Sequence, residues 1–367
     1  MSGLPAMEVA SRLPRLVVLL DGAGCAALLV TDLTDIRYLT GFSGSAGLLL
    51  VARDAALLVT DGRYREQATE QLAATGVDVA LAIGRNAAAQ RDVLQGAAAG
   101  VDRLGLQAAS VTWAAQRTYA GEWFPAAELV PTEGLVDRLR IAKDAGEVAR
   151  IEAAAGIADL ALAQVRPRLA EGLSERAFGL VLDQAMRALG ADDVSFETIV
   201  GSGPNGAKPH ARPGPRTITS GDLVVVDFGA LVDGYHSDMT RTIAVGEPSP
   251  TQQRMLEVVQ DSQAAGVAAV VAGRPCREVD EACREVIAEA GWADAFVHGT
   301  GHGVGLDIHE APAVAATSTA TLDVGHVVTV EPGVYLPEHG GVRIEDTVVV
   351  TGTGCRALTK APKTTAP

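Results

Sequence analysis

The chain has 367 residues, a formal net charge of −15 and a sequence pI near 4.9. That length exceeds one ordinary hydrophobic core and implies two domains. An acidic chain without a basic stripe repels phosphate backbones, which argues against nucleic acid as a partner.

No apolar run approaches the roughly twenty residues of a membrane-crossing helix, so no membrane partner is expected. The five apolar residues Leu16–Leu20 stop at Asp21, too short a core for a secretory signal. They read instead as part of an amphipathic helix over about 8–21. Cys25, Cys276, Cys283 and Cys355 include no C-x-x-C pair. Free thiols in a reducing cytoplasm are the expected state.

In chain order, Ala26–Val30 predicts a strand, and 48–64 predicts two strands joined by a polar turn at Arg53–Asp54. Further strands are expected at 76–83 and 101–106, with helical patterns between them, as in an α/β domain. Pro131 is expected to break the chain, and a long periodic helix begins soon after. The predicted domains are 1–136 and 137–367. A helix follows from Ser174 to about Leu189, with Ser174 as a cap.

From 194 onward hairpins dominate. Asp233-Gly234 marks a turn between two strands. Helices are expected at about 250–272 and 276–290, then a glycine-rich histidine loop, then a second hairpin over 325–352. The two hairpins echo one another, and each carries a carboxylate on both arms. That pattern suggests an internal duplication with a pseudo-twofold axis.

Asp227 closes the buried-strand run Leu223–Val226, where an isolated carboxylate costs several kcal/mol unless paired or bound to a cation. Asp238 lies across the hairpin turn from it. Two adjacent carboxylates need a cation between them, or share a proton. The shared proton leaves the histidines unexplained. Glu331 follows Val327–Val330, and Glu345 follows Arg343 at the strand spacing that puts both on one face, with Asp346 on the other. The stretch HGTGHGVGLDIHE places His298, His302 and His309 within thirteen residues. Its glycines disfavour a helix, so a zincin H-E-x-x-H reading fails, and they let the backbone pass close to a ligand or another strand. His326 and His339 read as incidental. Four carboxylates and one imidazole are mostly hard donors, suited to Mn(II), Co(II) or Fe(II). Five side chains exceed one tetrahedral zinc and suit two ions about 3.5–4 Å apart, an arrangement for metal-assisted hydrolysis.

The stretches VVVDFGALVDGYHSDMTRT, HGTGHGVGLDIHE, TVEPGVY and GVRIEDT together resemble the pita-bread metallopeptidases. The closer likeness is to the Xaa-Pro branch, Xaa-Pro dipeptidase (prolidase) and aminopeptidase P. DIRYLTGFSGSAG and TDGRY resemble the creatinase/prolidase N-terminal domain, so the likeness spans nearly the whole chain. It implies an α/β N-terminal domain followed by an α+β pita-bread catalytic domain. It also implies two divalent metal ions, manganese favoured over cobalt, iron or zinc. Asp227 would hold one ion, His302 and Glu331 the other, and Asp238 and Glu345 would bridge them. A hydroxide bridging the metals would attack the carbonyl carbon of the Xaa-Pro bond, with Glu331 shuttling the proton. His309 would donate to the oxyanion. His210 would contact substrate, His298 would line the proline pocket, and Arg343 would position substrate or Glu345. Tyr335 would line the pocket and Thr240 would support the ligands. The implied substrates are dipeptides or short peptides with proline second, and the implied assembly is a cytoplasmic homodimer.

Three rivals remain beside the choice between dipeptidase and aminopeptidase P. The long N-terminal domain and the His210/His298/His309 set argue against methionine aminopeptidase. A metal-free creatinase-like hydrolase would have its ligand positions replaced. A non-catalytic binding module on the same fold would show a broken ligand set or a lost His309.

Overall fold

Residues 3–363 are described by the structure, a computed structural model. Ala6–Arg140 form one compact unit. Its elements run α1 (Arg12–Gly22), β1 (Ala27–Val30), α2 (Leu33–Thr40), β2 (Leu48–Ala52), β3 (Ala56–Thr60), α3 (Arg65–Thr75), β4 (Ala80–Ile83), α4 (Ala87–Ala97), β5 (Arg103–Gln107), α5 (Trp113–Thr118), β6 (Glu128–Thr132) and α6 (Asp137–Arg140). The strands form one mixed sheet in the order β4-β3-β2-β1-β5-β6. Central β1 is buried along its whole length, as its unbroken Ala-Leu-Leu-Val run requires of a strand covered on both faces. Leu29, Leu50, Val59 and Leu104 pack with Tyr119, Trp123 and Phe124 in its core. Pro131 does not break this chain. It lies in β6 opposite Leu106, on the sheet edge, where a missing N–H forfeits no ladder bond.

The second unit comprises the chain from Ile141 onward with the residues up to Pro5. The expected continuous helix from about 137 is instead the short α6, a break, and α7 (Ala145–Val165). Asp144 causes the restart. Its carboxylate accepts from the Glu147 N–H while the Glu147 carboxylate accepts from the Asp144 N–H, a capping box. Next come α8 (Glu175–Ala188), capped by Ser174, then β7 (Asp193–Val194), β8 (Ile199–Ser202), β9 (Leu223–Phe228), β10 (Ala230–Val232), β11 (Tyr235–His236) and β12 (Met239–Ala244). The second half repeats the plan with α9 (Pro250–Ala269), α10 (Cys276–Glu289), β13 (Gly301–Gly303), β14 (Glu310–Val314), β15 (Val327–Val330), β16 (Gly333–Leu336), β17 (Gly340–Arg343), β18 (Asp346–Thr351) and β19 (Gly354–Ala357).

Each predicted hairpin has four strands rather than two. In the first, β9 pairs with β12 and the tip β10–β11 joins a separate sheet; in the second, β15 pairs with β18 and the tip β16–β17 stands as its own ribbon. The interruptions fall at Gly229 and at Glu331–Pro332. The Asp233–Gly234 turn has positive φ at both residues, the geometry that matches hairpin twist.

Each half has its own core. Val224, Val226 and Phe228 pack with Leu162, Phe178 and Met186 of α7 and α8. Val328, Val330 and Val348 pack with Met255, Val279 and Cys283 of α9 and α10. Period-two alternation then turns Asp227 and Thr329 to the opposite face of their strands. The halves meet there: Glu345 N–H donates to Thr240 O at 3.1 Å and Thr347 Oγ1 donates to Asp238 O at 2.8 Å. Among the described residues no helix is long and apolar enough to cross a membrane, and the four cysteines are free thiols.

Candidate metal centre

Asp227, Asp238, His302, Glu331 and Glu345 all line one cavity of about 290 Å³, together with His210, His298, His309 and Arg343. Tyr335 stands just behind them. Asp227 reaches the cavity from the end of β9, directly across the ladder from Thr240. Asp238 immediately precedes β12, and Glu345 immediately precedes β18. Glu331 follows β15. The carboxylates therefore occupy matching places in the two halves.

His302 is not on a loop, as its glycine neighbours suggested, but in the middle of β13, which pairs with β14 and β15. The glycines serve close packing of backbone against backbone. A Cβ at Gly301 would meet Thr329 O at 2.1 Å, and one at Gly303 would meet Ala311 O at 2.2 Å. Only glycine admits strands that near on both sides of the histidine.

The donor set carries too little positive charge. His302 Nδ1 lies 3.0 Å from Gly303 O, so it carries the proton and donates there. Burial pushes this imidazole down to about 4, so it is neutral at pH 7. Its Nε2 lone pair then faces Glu331 Oε1 at 3.4 Å and Asp238 Oδ2 at 3.6 Å. Asp227 Oδ1 and Glu345 Oε1 are buried without a hydrogen-bond partner. Asp238, His302 and Glu345 each offer a ligand atom within 4.8 Å of the others. A cation would satisfy all of these atoms at once.

The carboxyl groups register the same deficit. Burial, then the charges of Glu345, Asp227 and Glu331, push Asp238 well above the usual carboxylate range. Burial, then Glu331 and Asp227, does the same to Glu345. Burial pushes Glu331 up to about 7, against the pull of Arg343. Divalent ions would reverse these shifts.

Hydrogen bonds aim these side chains. Arg343 Nη2 donates to Asp227 Oδ2 at 2.6 Å and its Nε donates to Thr240 Oγ1 at 3.1 Å. Thr240 Oγ1 donates to Glu345 Oε2 at 2.7 Å. Thr329, which sequence reasoning missed, accepts from His302 N–H at 3.1 Å and donates to Glu331 Oε1 at 3.2 Å. The signal was present: a threonine out of phase in the apolar run Val327–Val330.

His298 belongs to a second chain of contacts. Arg343 Nη1 donates to Tyr335 Oη at 2.9 Å, so the hydroxyl spends its proton on His298 Nε2 at 2.8 Å. His298 Nδ1–H then donates to Gly299 O at 2.7 Å. Burial pushes His298 down to about 4, in keeping with this neutral tautomer. Arg343 Nη1 also donates to Pro209 O at 3.2 Å, which ties down the segment bearing His210. His210 and His309 are exposed at the cavity, and the His309 ring sits edge-on to His302 with centroids 4.4 Å apart. His326 and His339 do not line the cavity. Phe196, Ile199 and Ile308 supply its apolar wall, and of these only Ile308 lies within a quoted motif.

This fold and this ligand-rich cleft define a metal-dependent hydrolase, and comparison with known proteins gives the family. Residues 149–352 match metallopeptidase family M24, and residues 12–142 match the creatinase/prolidase N-terminal domain. The chain belongs to metallopeptidase family M24. It is 42% identical over 352 residues to an uncharacterized peptidase of Bacillus subtilis (strain 168), YqhT, covering 96% of this chain and 98% of that one. Among solved structures it is similar to an Xaa-Pro dipeptidase from Bacillus anthracis, with a TM-score of 0.93, 39% identity, and coverage of 98% and 99% of the two chains. An X-Pro aminopeptidase from Thermotoga maritima MSB8 aligns with a TM-score of 0.86 and 31% identity, covering 94% of this chain and 97% of that one.

Proposed function

We propose that this enzyme hydrolyses the Xaa-Pro bond of dipeptides, using two divalent metal ions held by Asp227, Asp238, His302, Glu331 and Glu345. The observation that carries this reading is the convergence of four carboxylates and one imidazole, two of their oxygens buried without a partner, with His298, His309 and His210 on one concave site. The higher similarity to the Bacillus anthracis Xaa-Pro dipeptidase than to the Thermotoga aminopeptidase supports dipeptides over longer peptides. The bond before proline is a tertiary amide without the N–H that general peptidases bind, so a dedicated site is needed.

The bound ions would supply charge neutralisation and a nucleophile at neutral pH by lowering the pKa of water. The chain's own residues do the rest. Glu331, which shares the hydroxyl of Thr329, accepts a proton and passes it to the leaving nitrogen. His309, exposed beside His302, donates to the oxygen that becomes negative as the carbonyl turns tetrahedral. His298, with Tyr335 hydrogen-bonded behind it, forms the wall against the proline ring. Arg343, already committed to Asp227 and Tyr335, positions both groups rather than meeting substrate.

Manganese is the favoured metal because four carboxylates and one imidazole are predominantly hard donors. Four free thiols support a reducing compartment, the cytoplasm. A homodimer is the assembly that the family resemblance implies, and light scattering tests it. To separate the two peptidase readings, an Xaa-Pro dipeptide and an Xaa-Pro-Xaa tripeptide are compared at matched concentration. Preference for the dipeptide is expected; preference for the tripeptide assigns aminopeptidase P activity instead.

A further inference from the structure

Lys143 and Glu310 form a buried ion pair close to the site but outside the ligand set. Lys143 Nζ donates to Glu310 Oε2 at 2.8 Å, with side-chain exposures of 1% and 7%. Lys143 Nζ also lies 3.3 Å from Ile141 O. Its backbone is fixed as well, since Lys143 N–H donates to Gly325 O at 2.9 Å. Burying two charges in this way costs several kcal/mol per ion before their attraction returns it.

The position of Glu310 suggests what the pair does. Glu310 opens β14 and pairs with Gly303, next to His302. Its other oxygen, Oε1, accepts from Asp307 N–H at 3.0 Å. The backbone between folds tightly round the carboxylate, for a Cβ on Gly305 would meet both carboxylate oxygens at 2.6 Å. Gly305 O in turn accepts from His236 N–H at 2.9 Å. Glu310 thus closes the segment 303–310 on itself, with His302 at one end and His309 adjoining the clasp. His309 is exposed, and its ring sits edge-on to His302.

We infer that Lys143 is a positioning residue that acts through Glu310 to hold the His309 ring where it meets the substrate oxygen. The inference rests on the proposed role of His309. Lys143 touches neither the cavity nor any ligand atom, so its effect must travel through the clasp.

A kinetic cycle tests this with full-length, metal-loaded enzyme and an Xaa-Pro dipeptide. The chains are wild type, Lys143→Met, His309→Asn and the double variant. Lys143→Met is expected to lower kcat about ten- to a hundredfold, with KM and metal stoichiometry little changed. The double variant should lose no more than about threefold beyond His309→Asn alone, because groups that act as a unit are non-additive. Losses that multiply, or an unchanged kcat in a folded Lys143→Met chain, overturn the inference. If His309→Asn retains full kcat, the oxyanion role falls and the inference falls with it, while metal-dependent dipeptide cleavage would stand. Should Lys143→Met fail to fold, Lys143→Met/Glu310→Gln leaves no charge buried alone and enters the same cycle.

Discussion

Arg343 holds one oxygen of Asp227 at 2.6 Å and leaves the other buried without a partner. A carboxylate so divided is oriented by the protein on one side and open to a cation on the other. The same guanidinium donates to Tyr335 and Thr240, so its flat fork couples a proposed metal ligand to the proposed substrate wall. Lysine keeps the charge but cannot span three acceptors. Arg343→Lys is expected to lower kcat/KM about ten- to a hundredfold and to weaken metal retention. Steady-state kinetics with metal analysis checks it, and wild-type values in both would remove Arg343 from the machinery.

Thr329 is one hydroxyl serving two proposed ligands. Thr329→Val keeps its shape but strands the His302 N–H and frees Glu331. A buried donor left unpaired costs about 1–3 kcal/mol. The expected outcome is a modest fall in Tm, with a loss of metal affinity on the order of tenfold or more. Metal titration by calorimetry would detect it; unchanged affinity would mean the threonine serves packing alone.

Tyr335→Phe removes the hydroxyl that passes the Arg343 hydrogen bond to His298. The ring stays and the ligands are untouched. KM for an Xaa-Pro dipeptide should rise about tenfold, roughly 1.4 kcal/mol, at unchanged metal stoichiometry. A change confined to kcat would move His298 from substrate wall to chemistry.

The metal-free chain should grow less stable as pH rises through neutrality. Glu331 titrates at about 7 instead of 4.5, and Asp238 and Glu345 also stand well above their usual range. The folded chain keeps protons that the unfolded chain has released, so this stability is present at low pH and lost as pH climbs through the folded values. His298 and His302 act oppositely. Their folded values of about 4 lie below 6.5, so stability is lost as pH falls from 6.5 toward 4. From about pH 6.5 to 8 only the carboxylate slope remains among these groups. Calorimetry in chelator should record a falling Tm across that window, and excess Mn(II) should abolish the fall. A rising Tm in chelator would contradict the charge deficit at the site.

Most of the site is legible in the sequence because acids that end apolar strands stand out against their neighbours. Asp227 and Glu331 each close a run of buried valines, and Glu345 follows Ile344 two places after Arg343. The helices α8, α9 and α10 are legible for the same reason, through their apolar periodicity and the Ser174 cap. The start of α7 was harder to see, since the charged stretch 137–144 fits helical spacing and only the Asp144–Glu147 pair marks the true start. Pro131 misled because an edge strand tolerates what a central strand does not. The strand character of His302 was hidden by glycines, whose small size is used here for close strands rather than for a loop. Lys143 and Glu310 are 167 residues apart, and no local pattern relates residues that only the tertiary fold brings together.

Two divalent ions held by these five residues are proposed to cut the Xaa-Pro bond. Hydrolysis of an Xaa-Pro dipeptide by chelator-stripped enzyme, as Mn(II) is titrated back, tests this directly. No cleavage is expected without metal, and activity should be complete only at two equivalents per chain. Glu345→Gln should fail to recover at any Mn(II) concentration that restores the wild type. Metal demonstrably bound with no cleavage of the dipeptide, or full cleavage by the stripped enzyme, would contradict it.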